Sequence, residues 1–159
     1  MTFPLFFHSF AEGPPLEVQI IPCAINTFRV SLKKSPFFTV SFFIELQAPV
    51  QKRMVSWLTA YGKKEVLPLD FLPMQILPTF SSHLLGALVE IPFGETRSYK
   101  ELAKAAGSEK AVRVAGSFCR KNPFALFVPC HRVIQASGNI GKFAFGNAIK
   151  ECILDFEKN

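Results

Sequence analysis

No apolar run in this chain approaches the roughly 20 residues a helix needs to cross a bilayer, which excludes an ordinary membrane span. The first ten residues are apolar, but they carry no basic leader and contain Pro4 and His8, so no export signal is expected. No two of the four cysteines, Cys23, Cys119, Cys130 and Cys152, stand at Cys-x-x-Cys spacing. That removes the usual signature of a structural zinc site, and the irregular intervals do not form a disulfide framework. Scattered His8, Cys23 and His83 make no convincing ligand set, so no metal is expected. Reduced thiols in the cytoplasm are the expectation. Neither an internal repeat nor a low-complexity tract appears, and 159 residues fit one domain or two small ones.

Acidic residues are in the minority, 12 against 18 Lys and Arg, giving a formal net charge of +6. Residues 1–75 carry seven basic against five acidic side chains, and residues 76–159 eleven against seven. The excess therefore leans to the C-terminal half. It suits a polyanionic partner such as DNA, although a solvated basic surface fits the same counts. Phenylalanine is abundant, at 18 residues, and its ordinary role is to fill a core.

Local patterning divides the chain in two. Leu16 to Ile20 and Phe28 to Leu32 alternate apolar and polar residues and predict half-buried strands. The aromatic-rich stretch from Phe37 to Leu46 predicts a longer strand, with Lys33-Lys34-Ser35-Pro36 as a hairpin turn before it. After Pro49, the residues Val50, Met54, Trp57, Leu58 and Tyr61 recur at helical spacing, and Gly62 can cap the end. Pro68, Pro73 and Pro78 then interrupt the pattern, so residues 66–78 read as a linker. The expected fold is an α/β N-terminal domain over residues 1–75 and a mainly α domain over residues 78–159.

In the second half, Leu84, Leu85, Leu88 and Val89 predict a helix ending near Pro92-Phe93-Gly94. Ser98-Tyr99-Lys100-Glu101 has the capping-box pattern for the next helix, which ends at Gly107. Ser108 is a candidate cap for a third helix, with Ala111, Val114, Ala115 and Phe118 as its apolar stripe. Helix, glycine turn, helix is the helix-turn-helix arrangement. Lys110, Arg113, Arg120 and Lys121 make the polar face basic, and small Ala111, Ala115 and Gly116 allow close approach to DNA.

The densest chemistry lies at Pro129-Cys130-His131-Arg132-Val133, just after the apolar run Ala125 to Val128. A thiol beside an imidazole and a fixed positive charge can be held as the nucleophilic thiolate. Consecutive side chains diverge in an extended chain. Cys130 and His131 therefore cooperate only where the backbone turns, which Pro129 favours, or where a water bridges them.

The segment Val128 to Ile134 resembles the active-site signature of the O6-alkylguanine-DNA alkyltransferases, the methylated-DNA–protein-cysteine methyltransferases. Other segments extend the resemblance over most of residues 78–159, and more faintly over the N-terminal half. Ile91 to Ala103 is similar to that family's entry into the helix-turn-helix, and Ala111 to Gly116 to its recognition helix. Asn122-Pro123 is similar to its asparagine hinge, and Asn147 to Glu157 to its C-terminal helix.

The resemblance implies that Cys130 is the alkyl acceptor, His131 its base acting through water, and Glu157 the carboxylate that orients His131. Glu151 is a rival, but its distance from Cys130 along the chain does not match the family. Tyr99 is implied to donate to guanine N3, and Arg113 to fill the gap left by a flipped nucleotide. Asn122 ties down the active-site turn, and Ala111 and Arg120 are further DNA contacts. Val133, Phe143, Ala144 and Phe145 line the pocket, where the carbonyls of Cys130 and Val133 accept the guanine amino group and the Ala144 amide donates to O6. Phe143 replaces a common tyrosine, Ala144 lacks a hydroxyl, and Phe145 stands where members have glycine or tryptophan. A tight pocket favouring methyl over benzyl groups follows.

The implied fold of residues 1–75 is an RNase-H-like scaffold, and the zinc ligands of some members do not carry over. The implied function is DNA repair by direct, stoichiometric alkyl transfer to Cys130. The donors are O6-alkylguanine and O4-methylthymine in duplex DNA, approached from the minor groove. A thioether product has no easy hydrolysis, so no turnover is expected. The alkyl donor is the DNA, so no cofactor is needed. A cytoplasmic monomer without membrane attachment completes the expectation. One alternative is a non-catalytic, damage-sensing helix-turn-helix protein, against which the reactive Cys130 argues. Another is a cysteine hydrolase, which needs an oxyanion hole that no sequence feature announces. A third is a helix-turn-helix regulator whose Cys130 senses alkylation.

Overall fold

A computed structural model describes residues 5–24, 27–43, 48–72 and 79–159. The chain falls into two compact units, Met1–Pro73 and Met74–Asn159.

In the first unit, β1 (Phe6–Phe10), β2 (Leu16–Ala24), β3 (Thr27–Lys34) and β4 (Phe38–Phe42) form a mixed sheet in the order β1-β4-β2-β3. β2 and β3 are antiparallel, with Val18 opposite Leu32 and Ile20 opposite Val30. Strand alternation thus puts Leu16, Val18, Ile20, Phe28, Val30 and Leu32 into the core.

Lys33 to Pro36 does not form the predicted hairpin, because β4 pairs with β2 and not with β3. It lies parallel to β2, with Val18 opposite Val40, and antiparallel to β1. The chain leaves β3 past the start of β2, where the Ser35 amide donates to the Pro15 carbonyl at 3.4 Å. Pro36 has no amide to continue a ladder, and the free edge of β2 is what remains for β4 to pair with. β4 is also shorter than predicted. Phe43 bends out of the strand, and Ile44 to Leu46 lie outside the described residues. β1 had no counterpart in the sequence reading: at the sheet edge it leaves both Phe6 and Phe7 exposed, so it shows no alternation.

The helix α1 (Ala48–Gly62) buries Met54, Leu58 and Tyr61. Trp57 stacks on Tyr61 at 5.2 Å, and its indole N–H donates to the Leu67 carbonyl. Gly62 is the last helical residue and not a cap beyond it. The left-handed residue is Lys64, at φ 63°. Gly62 is needed for a different reason: a Cβ there would lie 2.1 Å from the Glu12 carbonyl oxygen. Pro68 lies in irregular chain after α1, while Pro73 and Pro78 fall outside the described residues.

The second unit contains α2 (Thr79–Val89), α3 (Tyr99–Ala105), α4 (Val112–Arg120) and α5 (Asn147–Lys158). α2 buries Leu84, Ala87 and Leu88, while Val89 faces solvent. The predicted capping box opens α3: the Glu101 amide donates to Ser98 Oγ at 3.2 Å, and the Ser98 amide donates to the Glu101 carboxylate at 2.7 Å. Gly107, at φ +95°, then turns the chain. Ser108 is not the cap of α4. Ala111 occupies that position without a side-chain bond, and the Ser108 carbonyl serves the turn before it, accepting from the Ala111 amide. The buried stripe of α4 is Ala115 and Cys119, and Val114 is 50% exposed. α3 packs against α2 and α4.

Two short strands escaped the sequence reading, being too short to show a period. β5 (Arg97–Ser98) pairs in parallel with β6 (Val133–Ile134). This ladder brings the start of α3 beside the chain that leaves Cys130. Among the described residues no helix is long and apolar enough to cross a membrane.

Two glycine substitutions separate packing from chain stiffness. Gly62→Ala must displace the Glu12 backbone and is expected to lose about 1–3 kcal/mol. Gly86→Ala, on the exposed face of α2 with nothing within 4 Å of the new methyl, should gain about 0.5–1 kcal/mol. Urea denaturation of the full chain measures both, and a neutral Gly62→Ala would contradict the close approach.

Candidate active site

Asn122, just beyond α4, organises the approach to the thiol. Its Oδ1 accepts from the Phe124 amide at 3.0 Å, which forms a local turn. Its Nδ2 donates to the Val128 carbonyl at 2.9 Å and to Cys130 Sγ at 3.1 Å. Leu126 takes a left-handed φ of 75°, and Ala125 to Val128 are buried to 2% exposure or less. Pro129 then starts a 3-10 turn over Cys130–Arg132. The backbone turn anticipated from Pro129 is present, and the side chains of Cys130, His131 and Arg132 are all buried.

Behind the thiol lies a closed ionic cluster. His131 Nε2 is 2.8 Å from Glu157 Oε1. Arg132 Nε donates to Glu157 Oε2 at 2.8 Å and its Nη2 to Oε1 at 3.0 Å. The Gly94 amide adds a bond to Oε2, and Arg132 Nη1 reaches the Ile91 carbonyl at 2.7 Å. Burial works against the charge on Glu157, but the bonds from His131 and Arg132 outweigh it and hold its pKa at about 2. An ionised carboxylate only accepts, so His131 carries its proton on Nε2. Its Nδ1 is buried without a hydrogen-bond partner among the described residues and keeps its lone pair. Burial also pushes the His131 pKa down, against the pull of Glu157, so the ring rests neutral and can accept a proton. Glu151 is exposed, and Glu157 is the glutamate bonded to His131.

The thiol itself departs from the sequence expectation. Burial pushes the Cys130 pKa up, against the Asn122 bond, the Lys150 charge and the backbone amides of the turn. Cys130 therefore rests as a thiol and not as a thiolate. Arg132, the neighbouring cation in sequence, spends its guanidinium on Glu157.

Cys130 opens on a cleft of about 450 Å³ whose walls include Tyr99, Arg113, Arg120, Phe143 and Ala144. Burial, with Cys119 and Cys130 adding to it, pushes the Tyr99 pKa up, so the phenol keeps its proton. Gly116 lines the cleft too, and a Cβ there would come 3.9 Å from the Tyr99 ring. Cys119 is a second thiol in the wall. Burial, with Cys130 adding to it, pushes its pKa up to about 12, so Cys119 too rests as a thiol.

The profile of the 6-O-methylguanine DNA methyltransferase, DNA binding domain, matches residues 79–159. The probable methylated-DNA–protein-cysteine methyltransferase of Acanthamoeba polyphaga mimivirus is 33% identical over 146 residues, 90% of this chain and 97% of its own length. The chain belongs to the O6-methylguanine-DNA methyltransferase family. A methylated-DNA–protein-cysteine methyltransferase of Methanosarcina barkeri is 42% identical over 104 residues, 64% of this chain and 65% of that protein. Among solved structures, Mycobacterium tuberculosis OGT in complex with DNA superposes with a TM-score of 0.63 at 28% identity, covering 89% of this chain and 92% of that one.

Within this family member the structure gathers most of the residues singled out in the sequence, but not all. Cys130, Tyr99, Arg113, Arg120, Phe143 and Ala144 share the cleft, with Asn122, His131 and Glu157 bonded around or behind the thiol. Ala111 is not among the lining residues. Val133 is fully buried, and its carbonyl already accepts from Lys150 Nζ at 2.5 Å. Phe145 stands behind Phe143, in edge contact at 5.5 Å, outside the lining. Gln135, Gly141, Lys142 and Lys150 were missed, and Arg132, read as a charge beside the thiol, is bonded to Glu157 instead. Lys150 had a readable sign: it shares the buried stripe of α5 with Ile153, Leu154 and Glu157.

The depressed pKa of Glu157 gives a stability test. Its charge contributes above the ordinary carboxylate range, and the contribution disappears as pH falls toward 2. Urea denaturation should therefore find wild type more stable than Glu157→Gln at pH 7. The gap should close by roughly 3 kcal/mol between pH 5 and pH 2. A gap independent of pH would show that the carboxylate is not held ionised.

Proposed function

We propose that the protein repairs DNA by moving the alkyl group of O6-alkylguanine, and of O4-methylthymine, onto Cys130, once per molecule. One juxtaposition carries this reading. The buried Cys130 thiol faces a cleft walled by a phenol and by arginines, while an imidazole held by a carboxylate sits beside it in sequence and is buried behind the turn.

The reaction is a displacement at the alkyl carbon. Cys130 Sγ forms the new bond to carbon as the carbon–O6 bond breaks. The thiol proton passes to His131 Nδ1 through an intervening water, and Glu157 stabilises the imidazolium. Tyr99 gives a proton to the departing base at N3. After both groups exchange with solvent, the products are neutral guanine and S-alkylcysteine. The thioether offers water no acyl carbon to attack, so Cys130 is spent.

In this reading α3 and α4 form a helix-turn-helix that enters the minor groove of duplex DNA. Arg113 occupies the place of the flipped nucleotide, a motion that costs roughly a few kcal/mol. Ala111 and Arg120 add contacts to the DNA, and residues 78–159 carry both binding and chemistry. Residues 1–75 serve as an RNase-H-like scaffold, and a monomer suffices. Phe143, backed by Phe145, narrows the cleft toward methyl and away from benzyl groups. Cys130 must stay reduced, which places the protein in the cytoplasm.

Duplex DNA carrying labelled O6-methylguanine tests the proposal. One equivalent of methyl should move to Cys130, and Cys130→Ser should take none. Several equivalents per protein, or label on Cys119 or Cys152, would overturn the mechanism. Arg113→Ala should slow repair of duplex DNA by about tenfold or more, while Cys130 still reacts at the normal rate with a small electrophile. Unchanged duplex repair would remove Arg113 from the role of finger.

A further inference from the structure

One buried charge has no part in that mechanism. Lys150, in the first turn of α5, has no exposed surface. Lysines are almost never fully buried unless the ammonium finds compensation. Its Nζ donates to the Val133 carbonyl at 2.5 Å and to the Ile140 carbonyl at 2.7 Å. It also lies 6.0 Å from the centroid of the Tyr99 ring and 5.8 Å from that of Phe143. The two carbonyls belong to different walls. Val133 begins β6, the strand leaving the 3-10 turn, and Ile140 precedes the loop that supplies Gly141 to Ala144 to the cleft.

The charged and titratable groups around Cys130 come from every packed element. Tyr99 approaches from α3, Cys119 and Arg120 from α4, His131 from the turn itself, and Lys150 from α5. Arg132 is bound to Glu157. Arg113, Arg120 and Lys142 are on the open side of the cleft, where water and salt screen them. Lys150 is the buried cation in this set whose bonded partners are uncharged carbonyls. Burial pushes the Lys150 pKa down, against the opposing pull of Cys130 and Cys119, and the Lys150 charge in turn favours ionisation of Cys130.

We propose that Lys150 is a positioning residue for the transfer step: its ammonium fastens β6 to the 141–144 wall and stabilises the Cys130 thiolate as the proton leaves. The assignment rests on Cys130 being the alkyl acceptor. A cation fixed beside an emerging anion acts most strongly when that charge appears, so it lowers the barrier without requiring a resting thiolate. The price of holding the ammonium out of water is offset by the two carbonyl bonds.

The test measures the pH dependence of Cys130 alkylation by iodoacetamide, read by mass spectrometry of the peptide that carries Cys130. The proteins are wild type, Lys150→Gln and Lys150→Arg. Lys150→Gln keeps amide donors for the carbonyls but discards the charge. Its alkylation profile should move to higher pH by about one unit, making reaction at pH 7 about tenfold slower. Lys150→Arg, which keeps the charge, should hold the wild-type midpoint. A lysine that only packs would lower the melting temperature and leave the midpoint in place, and that result would overturn the proposal. So would a midpoint shift in Lys150→Arg equal to that in Lys150→Gln.

Where Lys150→Gln does not fold, the coupling is read from the other side by NMR of 15N-labelled lysine. Cys130→Ser should lower the titration midpoint of Lys150 relative to wild type, because coupled sites shift each other reciprocally. An unmoved midpoint refutes the proposal. Methyl transfer from DNA is assayed in parallel. A chain that shows the Lys150 shift but takes no methyl keeps the electrostatic role and loses the repair reading.

Discussion

The carboxylate of Glu157 is the constraint on which the site depends. A buried charge left unpaired costs several kcal/mol, so its donors must all arrive together. They come from two places in the chain, the 3-10 turn through His131 and Arg132 and the turn after α2 through Gly94, and they meet the carboxylate that α5 carries. Arg132 extends the cluster to the Ile91 carbonyl. The end of α5 therefore cannot shift without unpairing the charge, and the orientation of His131 is fixed by the same bonds that fix the helix. Structure and chemistry share one set of contacts here, so losing a donor affects both.

The sulfur is held by an independent set. Asn122 bonds its own following turn, the Val128 carbonyl and Cys130 Sγ, and so ties the end of α4 to the nucleophile. Burial keeps Cys130 protonated at rest. For the single-use acceptor proposed above, this is a useful resting state, since a standing thiolate would be consumed by any passing electrophile. The site is better described as a thiol with a neutral base and a buried cation in reserve than as a preformed ion pair.

Much of this was legible in the sequence because its signals were local. The capping box at Ser98 and Glu101, the glycine turn at Gly107 and the bend at Pro129 each depend on a few neighbouring residues, and each appears where it was read. Errors arose where pairing or packing over distance decided the outcome. Lys33 to Pro36 looks like a hairpin turn, but which strand β4 joins depends on which edge of β2 is free. Of the stripe read for α4, Ala115 is buried, but Val114 is exposed and Cys119 joins the buried face unforeseen.

The amino-acid order by itself determined the family, the thiol, its neighbouring imidazole and the approximate helices, because motif spacing and periodicity survive without coordinates. Tertiary structure decided which charges act on which groups. Arg132 is two positions from Cys130 in sequence and bonded to Glu157, 25 residues away, in space. Lys150 is 20 positions from Cys130 in sequence and yet influences its ionisation. Electrostatic influence depends on distance and on the medium between charges, and both are set only once the chain has packed.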